Sequence, residues 1–359
     1  MFRYAAECPE DSDAALLERE FAQSVGVKFA LGLNSCSSAI LLALKCCGVV
    51  AGDQVLMPAF TFTAVPGAIV NLGALPVLVE CNANYRIDIE DLRRKINPDT
   101  KVLLLSHMRG HISDLDTIVE LCRDHGITLI EDAAHSHGGL WRGKATGSFG
   151  LVGCFSFQSY KMINSGEGGM LTTDDEEIAA RAIRLSGCYE NLYSAHFTTG
   201  VLVEKGIGSD PPYNFRMSNL TAAIVRSQLK LVEARGEQYR KMYGYLTSKL
   251  ARCSRIELPE EDEREQRIPD SIQFRVRGFS TAEMKQFAEK VRSAGLPLSA
   301  IDIDQDNARA FWNWTYLGGP PDLPQTRASL RNVCDMRLAY SLTTDHLDYI
   351  ADTILDALR

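Results

Sequence analysis

No two of the ten cysteines in this 359-residue sequence stand at C-x-x-C spacing. Several lie in apolar runs such as "LLALKCCG", where a free thiol behaves as a small hydrophobe. Neither a disulfide framework nor a zinc site is expected, and a reducing compartment is. No block of Lys and Arg occurs. The 38 basic and 46 acidic residues leave a net charge of −8, which gives no footing for nucleic acid or an anionic membrane surface. Every long uncharged stretch is broken by Gly, Pro, Asn or Thr, and "MFRYAAECPEDSD" has no apolar leader. A soluble, cytoplasmic protein with no membrane partner is expected. The Gly-rich dinucleotide and P-loop fingerprints are missing as well. What remains is ordinary globular composition, 45% hydrophobic and 23% charged, over a length that predicts one large domain plus a smaller one.

Helix-like and strand-like segments alternate along the chain. Ser12 caps a predicted helix, "DAALLEREFAQSV", that stops at Gly26. "KFALGLN", "DQVLMP", "LPVLVE", "KVLLLSH" and "ITLIED" read as strands, separated by the helical stretches "AILLALKCCG", "VPGAIVNLG", "DIEDLRRKI" and "LDTIVELCRDHG". Such apolar strands between helices predict an α/β fold whose mostly parallel sheet is sandwiched by helices. "CFSF" and "GGMLTT" extend the sheet, the second as a return strand. One long helix is expected from Ser218 to about Lys249. An acidic linker, "ELPEEDEREQRIPD", then leads to the strand "SIQFRVRG", a helix "STAEMKQFAEKVRSAG" capped by Ser280, and a last helix "TDHLDYIADTILDAL". The chain therefore divides into a large domain over 1–242 and a smaller C-terminal α/β domain over 243–359.

Ligands of open α/β sheets gather beyond the carboxyl ends of the strands. Four polar clusters fall there: Asn34–Ser38, Phe60–Thr63, Glu131–Ser136 and Ser156–Gly169. Lys161 follows the apolar "CFSF". In a desolvated pocket its amine would be neutral and able to attack a carbonyl, while its position alone also allows a solvated loop lysine. The acid pair of "LIEDAAHSHG" can meet a buried cation, cap a helix or, with His135 and His137, take a metal. Histidines at i, i+2 with no matching set elsewhere do not make a zinc pattern, so no metal is expected. With pyridoxal 5′-phosphate, a carboxylate at that place keeps the ring nitrogen protonated. Asn34–Ser38 opens a helix, which suits a phosphate or simple capping by Ser37 or Ser38. Phe62 can stack on a ring or fill the core.

Six segments in order, "GDQVLMPAFTFTA", "GALPVLVE", "KVLLLSHMRGHISDLD", "ITLIEDAAHSHGGLWRGKATGSFG", "FSFQSYKMINSGEGGMLTTDD" and "YNFRMSNLTAAIVRSQLKLVE", resemble the DegT/DnrJ/EryC1/StrS family. These are fold-type I, pyridoxal-phosphate-dependent sugar aminotransferases. The resemblance covers about Leu16 to Leu231 and is loose beyond. It implies that Lys161 carries the cofactor and moves the proton, that Asp132 meets the ring nitrogen, and that His135 faces the 3-hydroxyl side. It implies Phe62 stacked on the ring and Ser35, Cys36, Ser37, Ser156 and Gln158 around the cofactor, with Ser37 and Ser156 toward the phosphate. Asn214 matches an asparagine that reaches the phosphate of the neighbouring subunit, hence a homodimer with shared active sites. Arg109, Tyr160 and Arg216 are the candidate substrate contacts; Arg109 either binds an anionic substrate or lies in a surface ion pair.

The sequence departs from relatives at "SCS" (Ser35–Ser37), where they have "NGT", at Gln158, where many carry His, and in a short segment before the first helix. Gln158, "HMRGHISDLD" and "ARAFWNW" are similar to the branch with amino-hydroxybenzoate synthases and glutamine-dependent keto-cyclitol aminotransferases. The implied activity is amino transfer from Glu or Gln to a nucleotide-linked keto-sugar or a keto-cyclitol. Two alternatives stay open: a dehydrating or aromatising enzyme of the same fold acting on a carbocycle, and a non-catalytic regulatory relative. Retention of both Lys161 and Asp132 argues against the last.

Overall fold

The computed structural model describes residues 11–188, 193, 196, 200–206 and 208–359; Cys8 and the segment around it lie outside these. The apolar runs form short strands closed by turn residues. They are β1 (Phe29–Leu33), β2 (Gln54–Pro58), β3 (Leu75–Val79), β4 (Val102–Ser106), β5 (Thr128–Asp132), β6 (Leu140–Trp141), β7 (Lys144–Ala145), β8 (Val152–Ser156) and β9 (Gly169–Thr173). Seven of them make one sheet in the order β1-β9-β8-β5-β4-β2-β3. All of its strands run together except β9, which is antiparallel to both β1 and β8. "GGMLTT" is thus the return strand expected.

Both faces of this sheet are apolar because successive side chains of a strand point to opposite sides. Leu104, Ile130 and Val152 face the helices Cys36–Cys46 and Glu176–Ser186, whereas Leu103, Leu105 and Leu129 face the helix Leu115–His125. The first helix, Asp13–Val25, is capped as its sequence predicts. Ser12 Oγ accepts from the amide of Ala15 at 3.2 Å, and Gly26 closes it at φ 78°.

A second sheet, in the order β10-β12-β14-β13, comprises β10 (Ile256–Glu257), β12 (Ser271–Val276), β13 (Ser299–Ala300) and β14 (Val333–Arg337). Leu246, Phe274, Phe287 and Ile350 share its core. Ser280 closes a capping box on the helix Thr281–Ser293. Phe311, Trp314 and Leu323 return to the core of the main sheet.

Three sequence expectations are corrected. The long helix is two, Asn219–Leu229 and Val232–Leu250, turning at Lys230–Leu231. The first is tied to the opening helix by Arg226, which pairs with Asp13 and Glu20, while the second carries Arg235 to the carbonyl of Met162. The acidic linker is no free tether either, since it contains β11 (Glu265–Gln266), paired with β6. Arg264 lies over the Trp141 ring and bonds Asp114, and Glu265 pairs with Arg86. Finally, Ser35 rather than Ser37 or Ser38 caps the helix Cys36–Cys46, its Oγ accepting from the amide of Ser38 at 3.1 Å.

Candidate active site

Six strands of the main sheet end on one rim, and β9 begins there. The β4–β5 register sets Ser106 opposite Asp132. Ser106 Oγ donates to Asp132 Oδ2 at 2.6 Å, and Thr61 Oγ1 donates to Ser106 Oγ at 2.8 Å. The amide of Ala134 donates to Asp132 Oδ1 at 3.1 Å, and Cys36 Sγ lies 4.0 Å from the same oxygen. Burial and the neighbouring Asp132 push the Cys36 thiol well up, so it stays a neutral thiol.

Glu131 points to the other face. It takes amides of Gly147 (2.9 Å), Phe149 (2.6 Å) and Gly150 (2.8 Å) and lies 3.1 Å from His107 Nε2. Burial opposes its charge, yet His107 and the amides hold its carboxyl below the ordinary range.

Ser37 stands exposed in the first turn of the helix Cys36–Cys46, whose N-terminus opens on the rim. Gly169 makes that placement possible. A Cβ there would stand 2.3 Å from the Ser35 carbonyl carbon, so only glycine lets the helix start lie against β9. Ser156 closes β8, and Gln158 Oε1 accepts from the amide of Tyr160 at 3.0 Å, shaping the loop that presents Lys161. Lys161 Nζ lies 3.0 Å from His135 Nε2. Burial first, then Arg337, bring its pKa down to about 8. Burial and Lys161 likewise push His135 well below its ordinary value, and His135 Nδ1 is buried with no partner among the described residues.

Ser35, Cys36, Ser37, Asp132, His135, Ser156, Gln158 and Lys161 line one cleft of about 710 Å³. Of the cofactor and substrate residues that the resemblance implies, all but Asn214 and Arg216 line it; Glu131, His137 and Ser38 do not. Asn214 is exposed outside it, its carbonyl 3.5 Å from Asn34 Nδ2, and Arg216 donates to the Gly187 carbonyl. Phe62 is 48% exposed at the cleft rather than in the core. Arg109 is not in a surface ion pair. It is buried and pairs with the buried Asp335 of β14. His137 packs edge-on to Phe155, and burial lowers its pKa to about 4. Among the described residues no group of three His, Cys, Asp or Glu could hold a metal ion. No helix among them is long and apolar enough to cross a membrane.

Sequence reasoning missed the hydroxyl chain Thr61–Ser106 and the C-terminal arginines Arg309 and Arg337 at the cleft. For Arg337 a signal existed. In "VCDMR", Asp335 and Arg337 stand at i, i+2 within an apolar strand, so both point to one face.

Comparison with known proteins places this geometry. The DegT/DnrJ/EryC1/StrS aminotransferase family matches residues 11–355. GDP-perosamine synthase of Caulobacter vibrioides is 36% identical over 245 residues, 66% of this chain and 61% of that protein, so the chain spans less than two thirds of that relative's length. The 3-amino-5-hydroxybenzoate synthase of Amycolatopsis mediterranei is 30% identical over 312 residues, 85% of this chain and 76% of that one. Among solved structures, the PLP form of the Streptococcus pneumoniae protein Spr1654 aligns with a TM-score of 0.83 at 25% identity. That alignment covers 96% of this chain and 91% of the other.

Proposed function

Because the chain belongs to the DegT/DnrJ/EryC1/StrS aminotransferase family, we propose that it is a pyridoxal 5′-phosphate-dependent aminotransferase. It moves an amino group from glutamate or glutamine to a nucleotide-linked keto-sugar or a keto-cyclitol. The cleft residues fit that cofactor. Lys161 offers a buried amine for its aldehyde, Asp132 a carboxylate for its ring nitrogen, and Phe62 a face for its ring. Ser37, Ser156 and the helix N-terminus at Ser35–Cys36 offer donors for its phosphate. The buried, unpartnered Nδ1 of His135 leaves a polar atom to be satisfied at the ring's edge. When bound, the cofactor supplies a cationic ring that withdraws the electron pair left when a substrate carbon loses its proton.

The chain's own residues do the rest. With a pKa of about 8, Lys161 is poised to take and return a proton at Nζ near neutral pH. Asp132 is fixed by Ser106 and the Ala134 amide, so its charge needs no reorganisation. Gln158 holds the loop before Lys161 through the Tyr160 amide.

The observation that carries this reading is that the Lys161 amine and the Asp132 carboxylate line one cleft. Borohydride reduction of the purified protein should fix one cofactor mass on the peptide holding Lys161, and Lys161→Ala should lose it. Attachment of added cofactor to the stripped protein should accelerate with pH through about 8 rather than 10.5. An adduct that persists in Lys161→Ala overturns the assignment.

A second reading, a dehydrating or aromatising enzyme acting on a carbocycle, is favoured by the longer overlap with 3-amino-5-hydroxybenzoate synthase. Product analysis with keto-carbocycles separates the two. A homodimer with Asn214 shared across subunits is proposed on its exposure outside its own cleft and on the exposed Leu220, Ile224 and Leu231 nearby. A cytoplasmic location is supported by nine free cysteines among the described residues. The division at 242/243 is supported by the separate core of the second sheet.

A further inference from the structure

We infer that Gln228 and Arg235 are positioning residues for Lys161: from two later helices they clip the backbone of the loop that carries it, so that its amine stays inside the cleft. The inference rests on the amino-transfer reading only in taking Lys161 as the reactive amine. Between Ser156, the end of β8, and Gly169, the start of β9, the chain forms neither helix nor strand. Part of this loop closes on itself. The Lys161 amide donates to the Gln158 carbonyl at 2.8 Å, and the Ser159 amide to the Gly166 carbonyl at 2.9 Å. The stretch directly after Lys161, Met162 to Asn164, bonds outward instead.

Gln228 lies near the end of the helix Asn219–Leu229. Its Nε2 donates to the Asn164 carbonyl at 2.6 Å, and its Oε1 accepts from the Asn164 amide at 3.3 Å. One side-chain amide thus satisfies both halves of the Asn164 backbone, as a neighbouring strand would. Arg235 lies in the helix Val232–Leu250, and its Nη1 donates to the Met162 carbonyl at 2.8 Å and to Gln228 Oε1 at 3.0 Å. Both of these acceptors are neutral oxygens, so the guanidinium acts here as a brace. The bonds close a ring, Met162–Arg235–Gln228–Asn164, that spans the break at Lys230–Leu231. Apolar contact backs the polar one, since Met162 and Ile163 share a core with Ala222 and Val225 of the helix Asn219–Leu229.

On the other flank of Lys161 the Tyr160 carbonyl accepts from Arg337 Nη1 at 2.6 Å, so the backbone of the lysine is held from both sides. The consequence falls on the amine. Burial is the first cause of its lowered pKa, so its reactivity depends on how well Nζ is kept from water. A displacement of about 1 Å in a reacting group is enough to be felt. The groups facing Nζ are His135 at 3.0 Å, Asp132, Asp270, Arg337 and the neutral thiol of Cys36. Arg235 lines, with Lys161, a second lobe of the cleft of about 650 Å³. Gln228 carries no charge, and it acts on the amine through place alone.

Competitive acetylation of the full chain, stripped of cofactor and followed across pH by the mass of the peptide holding Lys161, tests this. In wild type the amine should become reactive with a midpoint of about 8. Gln228→Met removes both bonds to Asn164 and alters no charge. It should move the midpoint toward 10.5, by about half a pH unit or more, and slow the attachment of added cofactor near neutral pH about threefold. Arg235→Lys keeps the charge without the fork and should move the midpoint the same way by less. Should Gln228→Met fail to fold, Arg235→Lys carries the test. A purely structural role would lower the melting temperature and leave the midpoint in place, and an unmoved midpoint in the folded variants overturns the inference. A wild-type chain that takes no cofactor at Lys161 would sink the amino-transfer reading, while the acetylation midpoints would still decide whether the two helices place the amine.

Discussion

Glu131 and Asp132 are adjacent in sequence and face opposite sides of β5. The alternation of a strand gives one acid to the interior scaffold and the other to the cleft. Glu131 braces the turn Gly147–Gly150 with three amide bonds and His107, entirely buried. Glu131→Gln would replace one acceptor by a donor facing those amides. It should cost about 2–4 kcal/mol in urea unfolding, with Asp132 untouched. An unchanged unfolding midpoint would mean that the turn is held by other bonds. The pair was legible in "LIED" as chemically important, but not which acid does what, because parity decides that only once the strand's faces are known. The Thr61–Ser106–Asp132 chain was illegible for a related reason. It joins two hydroxyls and a carboxylate from three segments that meet only because β2, β4 and β5 are neighbours in the sheet.

Elements whose limits are written in short-range chemistry were readable: the helix from Ser12 to Gly26, and the capping box of Ser280 and Glu283. Elements governed by distant partners were not. Nothing local in "SQLKLVEARG" marks the break at Lys230–Leu231, on whose two sides Arg226 and Arg235 reach separate anchors. The three serines of the Ser35–Ser38 stretch compete for one cap, and the winner depends on where β1 ends. How this helix N-terminus meets the sheet sets the cleft's geometry. Gly169→Ala, with its Cβ 2.3–2.5 Å from Ser35 and Cys36 backbone atoms, should push the two apart. The expected result is a loss of about 1–3 kcal/mol in stability and faster cofactor release, followed by absorbance. Gly67→Ala, in a helix with open space around it, is the control and should be neutral or slightly stabilising. Equal cofactor retention in both variants would remove Gly169 from the phosphate end.

At the scale of the molecule, the alternation of apolar strands and helices made the sheet legible. The motifs placed the main-sheet half of the cleft, but the C-terminal arginines reach it only through tertiary folding. The same limit applies, one level up, to Asn214. On its own chain Asn214 is exposed and outside the cleft, yet it lies beside Asn34, one residue before the helix cap at Ser35. The helix that follows exposes Leu220 and Ile224, one turn apart on one side, with Leu231 just beyond. A twofold contact over this surface would bring one subunit's Asn214 toward the other's phosphate end. Lys161→Ala and Asn214→Ala chains should each be impaired alone. Co-expressed with distinct tags, they should regain about a quarter of wild-type activity, since half of randomly assembled dimers are mixed and each mixed dimer has one intact site. Isolated mixed dimers with no more activity than the parents would show that every site is built from a single chain, and Asn214 would then belong to the surface alone.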